Sequence, residues 1–224
     1  MFERYAIFYT PTGGLAQWGA AWLGWDSARG DVPPHTEVAG LDVATMTATP
    51  RKYGLHATLK APFRMAQNAC LQDLQHAASE FALTHPKVAI GQLELRNDTG
   101  FVALRPQHDT AELQQLAAAT VKAFDPFRAP LTDADIARRR KASLSVRQDA
   151  QMLNWGYPFI FEDFHFHLTL TGRLPAQEAT AVIAALTPCV LPLVPAPLVI
   201  DAITVMGQDS AGMFHQIHRY TLTG

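Results

Sequence analysis

Tyr53-Gly54-Leu55-His56-Ala57-Thr58-Leu59-Lys60 and, later in the chain, Asp163-Phe164-His165-Phe166-His167-Leu168-Thr169-Leu170-Thr171 decide the reading of this sequence. Each contains His-x-Thr-Leu. Both alternate as strands do, and side chains on a strand point to opposite faces with period 2. His56, Thr58 and Lys60 therefore share one face, with Leu55, Ala57, Leu59 and Ala61 behind them. In the second stretch His165, His167, Thr169 and Thr171 share a face, opposed by Phe164, Phe166, Leu168 and Leu170. Each strand has an apolar side for a core and a side of hydrogen-bonding groups that needs a polar cavity or solvent. A lone His-x-Thr carries little weight. Two copies, each on a strand followed by a break and a helix, point to a shared groove.

The chemistry follows from the residue types. Two imidazoles can serve as general base and general acid on opposite sides of one reacting atom. Two threonine hydroxyls can donate to the non-bridging oxygens of a phosphate as charge builds there. Lys60 would add a full positive charge. Phosphoryl chemistry asks mainly for positioning and charge stabilisation, and these side chains supply both. A metal reading competes, because His165-Phe166-His167 would place two imidazoles on one strand face. No carboxylate joins that face, and the counterpart of His165 in the first motif is Gly54. The expectation is therefore no metal and no cofactor.

Outward from the motifs, the chain repeats itself. Strand, sharp break, helix and strand hairpin occur from Gly54 to Arg105 and again from His165 to Leu222. Pro62 is expected to end the first motif strand and Gly172 the second, read as Glu162 to Thr171. Asn97-Asp98-Thr99-Gly100 suits a tight hairpin turn. Leu15, Trp18, Trp22 and Trp25 recur at helical spacing as a core stripe. Further helices are expected over Ala69 to Leu83, Thr110 to Phe124, from Thr132 onward, and from Pro175 to about Leu186. The expected fold is α+β: two pseudo-symmetric lobes of antiparallel sheet backed by helices around a central polar groove.

Composition sets the boundaries. The chain has 224 residues, 48% hydrophobic and 17% charged, an ordinary globular balance. Eighteen Lys and Arg against 20 Asp and Glu leave a net charge of −2. Proteins that hold long nucleic acid carry a basic surplus, so no long nucleic acid is expected. No run of 18 apolar residues predicts a membrane span. With two cysteines and no leader pattern at Met1-Phe2-Glu3-Arg4-Tyr5, a cytoplasmic setting is expected.

The paired motifs resemble those of the two-histidine (2H) phosphoesterase superfamily. That superfamily includes RNA 2′,3′-cyclic phosphodiesterases, bacterial proteins once described as 2′–5′ RNA ligases, and cyclic-nucleotide phosphodiesterases. One branch is closer. Tyr53 through Phe63, Asn154-Trp155-Gly156-Tyr157-Pro158-Phe159, and Phe166-His167-Leu168-Thr169-Leu170-Thr171-Gly172 resemble bacterial phosphonate-metabolism proteins encoded beside carbon–phosphorus lyase genes. The resemblance covers nearly the whole chain. It implies one bilobal domain over 1–224, with the first motif within 53–63 and the second within 165–172. It also implies His56, Thr58, His167 and Thr169 as the catalytic set, and metal-independent hydrolysis of a cyclic phosphodiester. The expected substrate is a small phosphorylated sugar or nucleotide, of the ribose 1,2-cyclic phosphate type. RNA end processing or ligation is the rival chemistry, and a phosphate-binding module without turnover is the rival outside enzymology.

A second tier of residues is expected around the substrate. Arg138-Arg139-Arg140-Lys141 fall about 100° apart on a helix, so one or two of them, Arg138 or Arg139, would reach a second phosphate at the groove mouth. The competing reading is a solvated helix face. Trp155, Tyr157 and Tyr53 would wall a sugar or base, or pack in the core. Tyr5, placed with Ile7 and Tyr9 on one face of the first strand, would line the groove, and Thr171 continues the polar face of the second motif.

Overall fold

The computed structural model describes residues 2–224. The chain opens with β1 (Arg4–Tyr9) and α1 (Gly13–Leu23), which Gly24 ends in the left-handed conformation at φ 72. A long connection follows, holding the single turn α2 (Val43–Met46) and a 3-10 turn at Pro50–Tyr53. Next come β2 (Ala57–Phe63), α3 (Leu71–Thr84), β3 (Val88–Gly91), β4 (Leu93–Asp98) and β5 (Phe101–Pro106). Three helices then run in succession: α4 (Ala111–Phe124), α5 (Asp133–Arg140) and α6 (Val146–Trp155). The second half continues with β6 (Leu168–Thr169), α7 (Ala176–Val190), β7 (Leu198–Ile200), β8 (Ala202–Gln208) and β9 (Phe214–Thr221).

The fold is α+β with antiparallel sheets, but consecutive halves of the chain do not each build their own sheet. One sheet has the order β2-β1-β8-β9, and another has the order β4-β5-β6. The strand of the first motif thus shares a sheet with the closing hairpin of the second half. The strand of the second motif pairs with the hairpin of the first half, Leu104 opposite Leu168. Strands β3 and β7, each leading directly into a strand of one of these sheets, pair with one another. The repeat read along the sequence is real as a pattern, but its hairpins are exchanged between the sheets. A single large core, from Ile7 and Leu59 to Leu186 and Val205, contains residues of both halves.

Local chemistry explains the elements. Thr132 and Ser145 cap α5 and α6, each bonding the backbone three residues on while that residue's side chain bonds back. The β4–β5 turn holds Thr99 at φ 52 and Gly100 at φ 103, and Asn97 Oδ1 accepts from Gly100 N at 3.0 Å. The tryptophan stripe packs inward: Trp18 and Trp22 stack at 5.7 Å, and the indole of Trp22 donates to the carbonyl of Leu170 at 2.8 Å. That bond ties α1 to the second motif.

Two expectations about the motif strands are corrected. Pro62 does not end β2, which runs on to Phe63; β2 lies at a sheet edge, where a missing N–H costs no ladder bond. The second motif is not a long strand. Phe161–Asp163 is a 3-10 turn, and only Leu168–Thr169 joins a ladder. Its alternation is nonetheless kept in burial, since Phe164, Phe166, Leu168 and Leu170 all lie in the core. Finally, α7 with the turn after it, Ala176–Leu193, has the length and mean hydropathy to cross a bilayer. In the fold its stripe of Ala179, Val182, Leu186 and Val190 is buried, and the helix packs on β4 and β5.

Candidate active site

Backbone carbonyls fix both motif histidines in the same way. His56 Nδ1 lies 2.9 Å from the carbonyl of Gly54, and His167 Nδ1 lies 2.8 Å from the carbonyl of His165. A carbonyl only accepts, so each ring donates from Nδ1 and keeps Nε2 as its basic nitrogen. Gly54 makes this possible in the first motif. It sits at φ +69, and a Cβ there would meet the Ser27 hydroxyl at 2.8 Å. Thr58 Oγ1 lies 3.3 Å from His56 Nε2. The ring of His56 is packed by Phe8 at 4.0 Å and stacked on Tyr53 at 5.4 Å, while Phe101 stands 5.7 Å from His167.

His56, Thr58, His167 and Thr169 line one cavity of about 340 Å³. Its charged lining consists of Arg4, Arg139 and Arg173, besides the two histidines, with no carboxylate among the described residues. Burial is the main influence on both imidazoles. It pushes His56 down to about 4, against the support of the Gly54 carbonyl and with help from the charge of His167. His167 is also held below the ordinary range by burial, but the His165 carbonyl and the Asp98 carboxylate oppose the shift. The proton is therefore less costly on His167 than on His56. Around neutrality both rings are therefore neutral in the unliganded protein.

The second tier of residues divides. Tyr53 and Tyr157 line the cavity, and Arg139 reaches it. Thr171 lines it too, but its hydroxyl accepts from Val102 N at 2.9 Å and donates to the carbonyl of Gly172 at 2.8 Å, so it is committed to the fold. Lys60 is not in the cavity. The β1–β2 register slips between the Phe8–Thr58 and Ile7–Lys60 pairs, a bulge that breaks the alternation after Thr58. Lys60 is 3% exposed, and its Nζ donates to Asp125 at 2.6 Å and to the carbonyl of Val121 at 3.1 Å.

Tyr5 is a core residue, because β1 presents the opposite face: Ala6 and Phe8 pack with Met206, Phe214 and Tyr53, and Arg4 extends that face to the cavity. Arg138 pairs with Asp135 at 2.8 Å and lines only the narrow crevice beside the cavity, as does Trp155. His165 is exposed, 3.6 Å from Asp109, and shares no strand face with His167. Among the described residues no group of three or more His, Cys, Asp and Glu is arranged to hold a metal ion.

Sequence reasoning passed over Arg4 and Arg173. Arg4 has the same parity as Ala6 and Phe8, so choosing the other face of β1 hid it. Arg173 follows directly on the second motif, where its position after Gly172 was the available signal.

Comparison with known proteins places the chain. It is 34% identical over 218 residues to a protein of Janthinobacterium sp. (strain Marseille) named ribose 1,5-bisphosphate phosphokinase PhnN, covering 93% of this chain and 48% of that protein. A protein of the same name from Laribacter hongkongensis (strain HLHK9) is 32% identical over 193 residues, covering 81% of this chain and 43% of that protein. The chain thus spans about half the length of the curated relatives it matches. Among solved structures, one described as E. coli LigT complexed with NADP+ aligns with a TM-score of 0.48 at 13% identity, covering 100% of this chain and 99% of that one. Residues 58–215, from the threonine of the first motif to the start of the last strand, match the family described as protein of unknown function (DUF1045), and the chain belongs to that family.

Proposed function

We propose that this protein is an enzyme that hydrolyses a cyclic phosphodiester on a small phosphorylated sugar, without a metal ion, in the degradation of phosphonates. The observation that carries the reading is the pair of His-x-Thr motifs on one cavity, both imidazoles anchored through Nδ1, with arginines and no carboxylate in its lining among the described residues. Names of the curated relatives point the same way, since they concern a phosphorylated ribose. Those names describe proteins about twice as long, so phosphoryl transfer is not carried over to this chain.

In this reading His56 is the base and His167 the acid, because His56 is held more firmly neutral and Asp98 favours the charged form of His167. A water oxygen attacks phosphorus as its proton passes to His56 Nε2. The ring P–O bond breaks, and the leaving oxygen takes the proton carried by His167 Nε2. Thr58 and Thr169 donate to the non-bridging oxygens as their charge grows. The product is a phosphate monoester with a new hydroxyl, and proton exchange with solvent resets the two rings.

A panel of five-membered cyclic phosphates on pentoses and nucleosides, followed by phosphorus NMR, tests the proposal. Ring opening that survives exhaustive chelation and is lost in His56→Ala supports it. Chelator-sensitive turnover that also needs His165 would replace it with metal chemistry. Turnover only of RNA carrying a terminal 2′,3′-cyclic phosphate, collapsing as salt rises, would replace the substrate class.

A further inference from the structure

Three consecutive arginines of α5 meet three different fates. Arg138 pairs with Asp135 and Arg140 with Asp149, each at 2.8 Å. Arg139, between them, joins no ion pair among the described residues. Its Nε is buried without a hydrogen-bond partner, and its guanidinium lies 5.0 Å from the ring centre of Tyr157. Arg4 comes to the same place from β1. It donates to Gln208 at 2.5 Å and likewise has no carboxylate.

Arg4, Arg139 and Tyr157 line both the larger cavity and the narrow crevice beside it, whereas the motif histidines and threonines line the larger cavity alone. The arginines therefore stand at one end, away from the reacting groups. Burial pulls the pKa of Arg139 down, helped by the charges of Arg138 and Arg4 and opposed by Tyr157 and by Asp135, which also lines the crevice. Burial also raises the Tyr157 phenol, which stays protonated as a donor. A half-buried guanidinium whose Nε has no hydrogen-bond partner carries a cost, and an oxyanion in fork geometry removes it. The crevice beyond is only about 30 Å³, so a ligand that reaches this end stops there and does not run on as a polynucleotide.

We infer that Arg139, with Arg4 and Tyr157, holds a second phosphate of the substrate: a terminal monoester on the same sugar, remote from the cyclic diester that is opened. The inference rests on the proposed hydrolysis for the word substrate, but the anion site stands on its own geometry.

Two measurements on the whole chain separate these. In the first, calorimetry with ribose 5-phosphate as the probe compares wild type with Arg139→Gln, Arg4→Gln and Arg138→Gln. Binding should weaken by about 10- to 100-fold in the first two, the loss expected for a charge-assisted pair, and stay within about 3-fold in the third. Absent binding to wild type, or equal weakening in Arg138→Gln, overturns the site. In the second, kcat/KM is measured on a ribose cyclic phosphate with and without a 5-phosphate. Wild type should prefer the phosphorylated form by about 100-fold, and Arg139→Gln should lower that preference by about 10- to 100-fold. Arg139→Gln slowing both substrates equally overturns the assignment. Intact probe binding without hydrolysis of either substrate would sink the proposed function and leave the anion site standing.

Discussion

Titration of one histidine in the folded state has a consequence for stability that can be worked out in advance. His56 is pushed down to about 4 in the fold, against about 6.5 in an unfolded chain. The folded state thus favours the neutral ring. Between these two values the unfolded chain binds the extra proton, so stability is full above about 6.5, falls as pH drops through that window, and levels off below about 4. Integrating the linkage relation from about pH 7.5 to about pH 5 gives a loss of about 2 kcal/mol from this group alone. The perturbation is His56→Gln, which keeps a polar side chain and removes the titration. Urea unfolding of wild type and variant at both pH values gives a double difference in which the contributions of the other eight histidines cancel. With an m-value of about 2 kcal/mol per molar, the wild-type midpoint should fall about 1 M more than the variant's. Any overall destabilisation of the variant drops out of this comparison. Equal shifts in the two proteins would show that His56 titrates normally, and the assignment of His56 as the ring that is neutral before reaction would go with it.

Other outcomes follow from the same geometry. His56→Ala or His167→Ala should lower the rate of cyclic-ester opening by about 10² to 10⁴, and Thr58→Ala or Thr169→Ala by about 10 to 10³; wild-type turnover in either histidine variant would defeat the mechanism. Because burial lowers both imidazoles, the kcat/KM profile should be bell-shaped with its maximum below about 6.5, the acid limb set by protonation of the base and the other limb by loss of the proton from the acid. A maximum at alkaline pH would exclude this pair as the proton carriers. Lys60→Met should cost about 1 to 2 kcal/mol of stability, because Asp125 loses one buried partner and keeps Arg128, yet leave KM within about 3-fold. A large KM effect in folded Lys60→Met would return Lys60 to the substrate.

The sequence carried the motif pair and its polar face because His-x-Thr is written in adjacent residues. Alternation also marked Phe164, Phe166, Leu168 and Leu170 as buried, but it could not say that only Leu168–Thr169 would join a ladder. Period 2 reports which side is buried, and side-chain packing maintains it without strand pairing. Lys60 went astray for a related reason. A bulge inserts one residue on one strand, and nothing in Leu59-Lys60-Ala61 announces it. Tyr5 and Arg4 were exchanged because both faces of β1 are apolar enough to be core. Arg139 was within reach as one of two candidates, with Arg138, but choosing it required knowing where Asp135 would stand. The exchange of hairpins between sheets was out of reach altogether, since sequence order says which strands follow one another and not which ones pair.

That exchange bears on how the protein is made. Both histidines have been translated once Leu168–Thr169 has emerged, and at that point β6 already has its neighbour β5. Strand β1 does not: one of its two edges waits for β8, and its face against His56 waits for Phe214. A nascent chain halted short of the last hairpin therefore holds every residue of the reaction and lacks the sheet that aims half of them. Pairings between strands so far apart in the chain close large loops and form late. Synthesis of residues 198–221, which carry β7, β8 and β9, is then the step that completes the site, and ribosome-bound chains halted before and after it should differ sharply in hydrolysis of a cyclic phosphate.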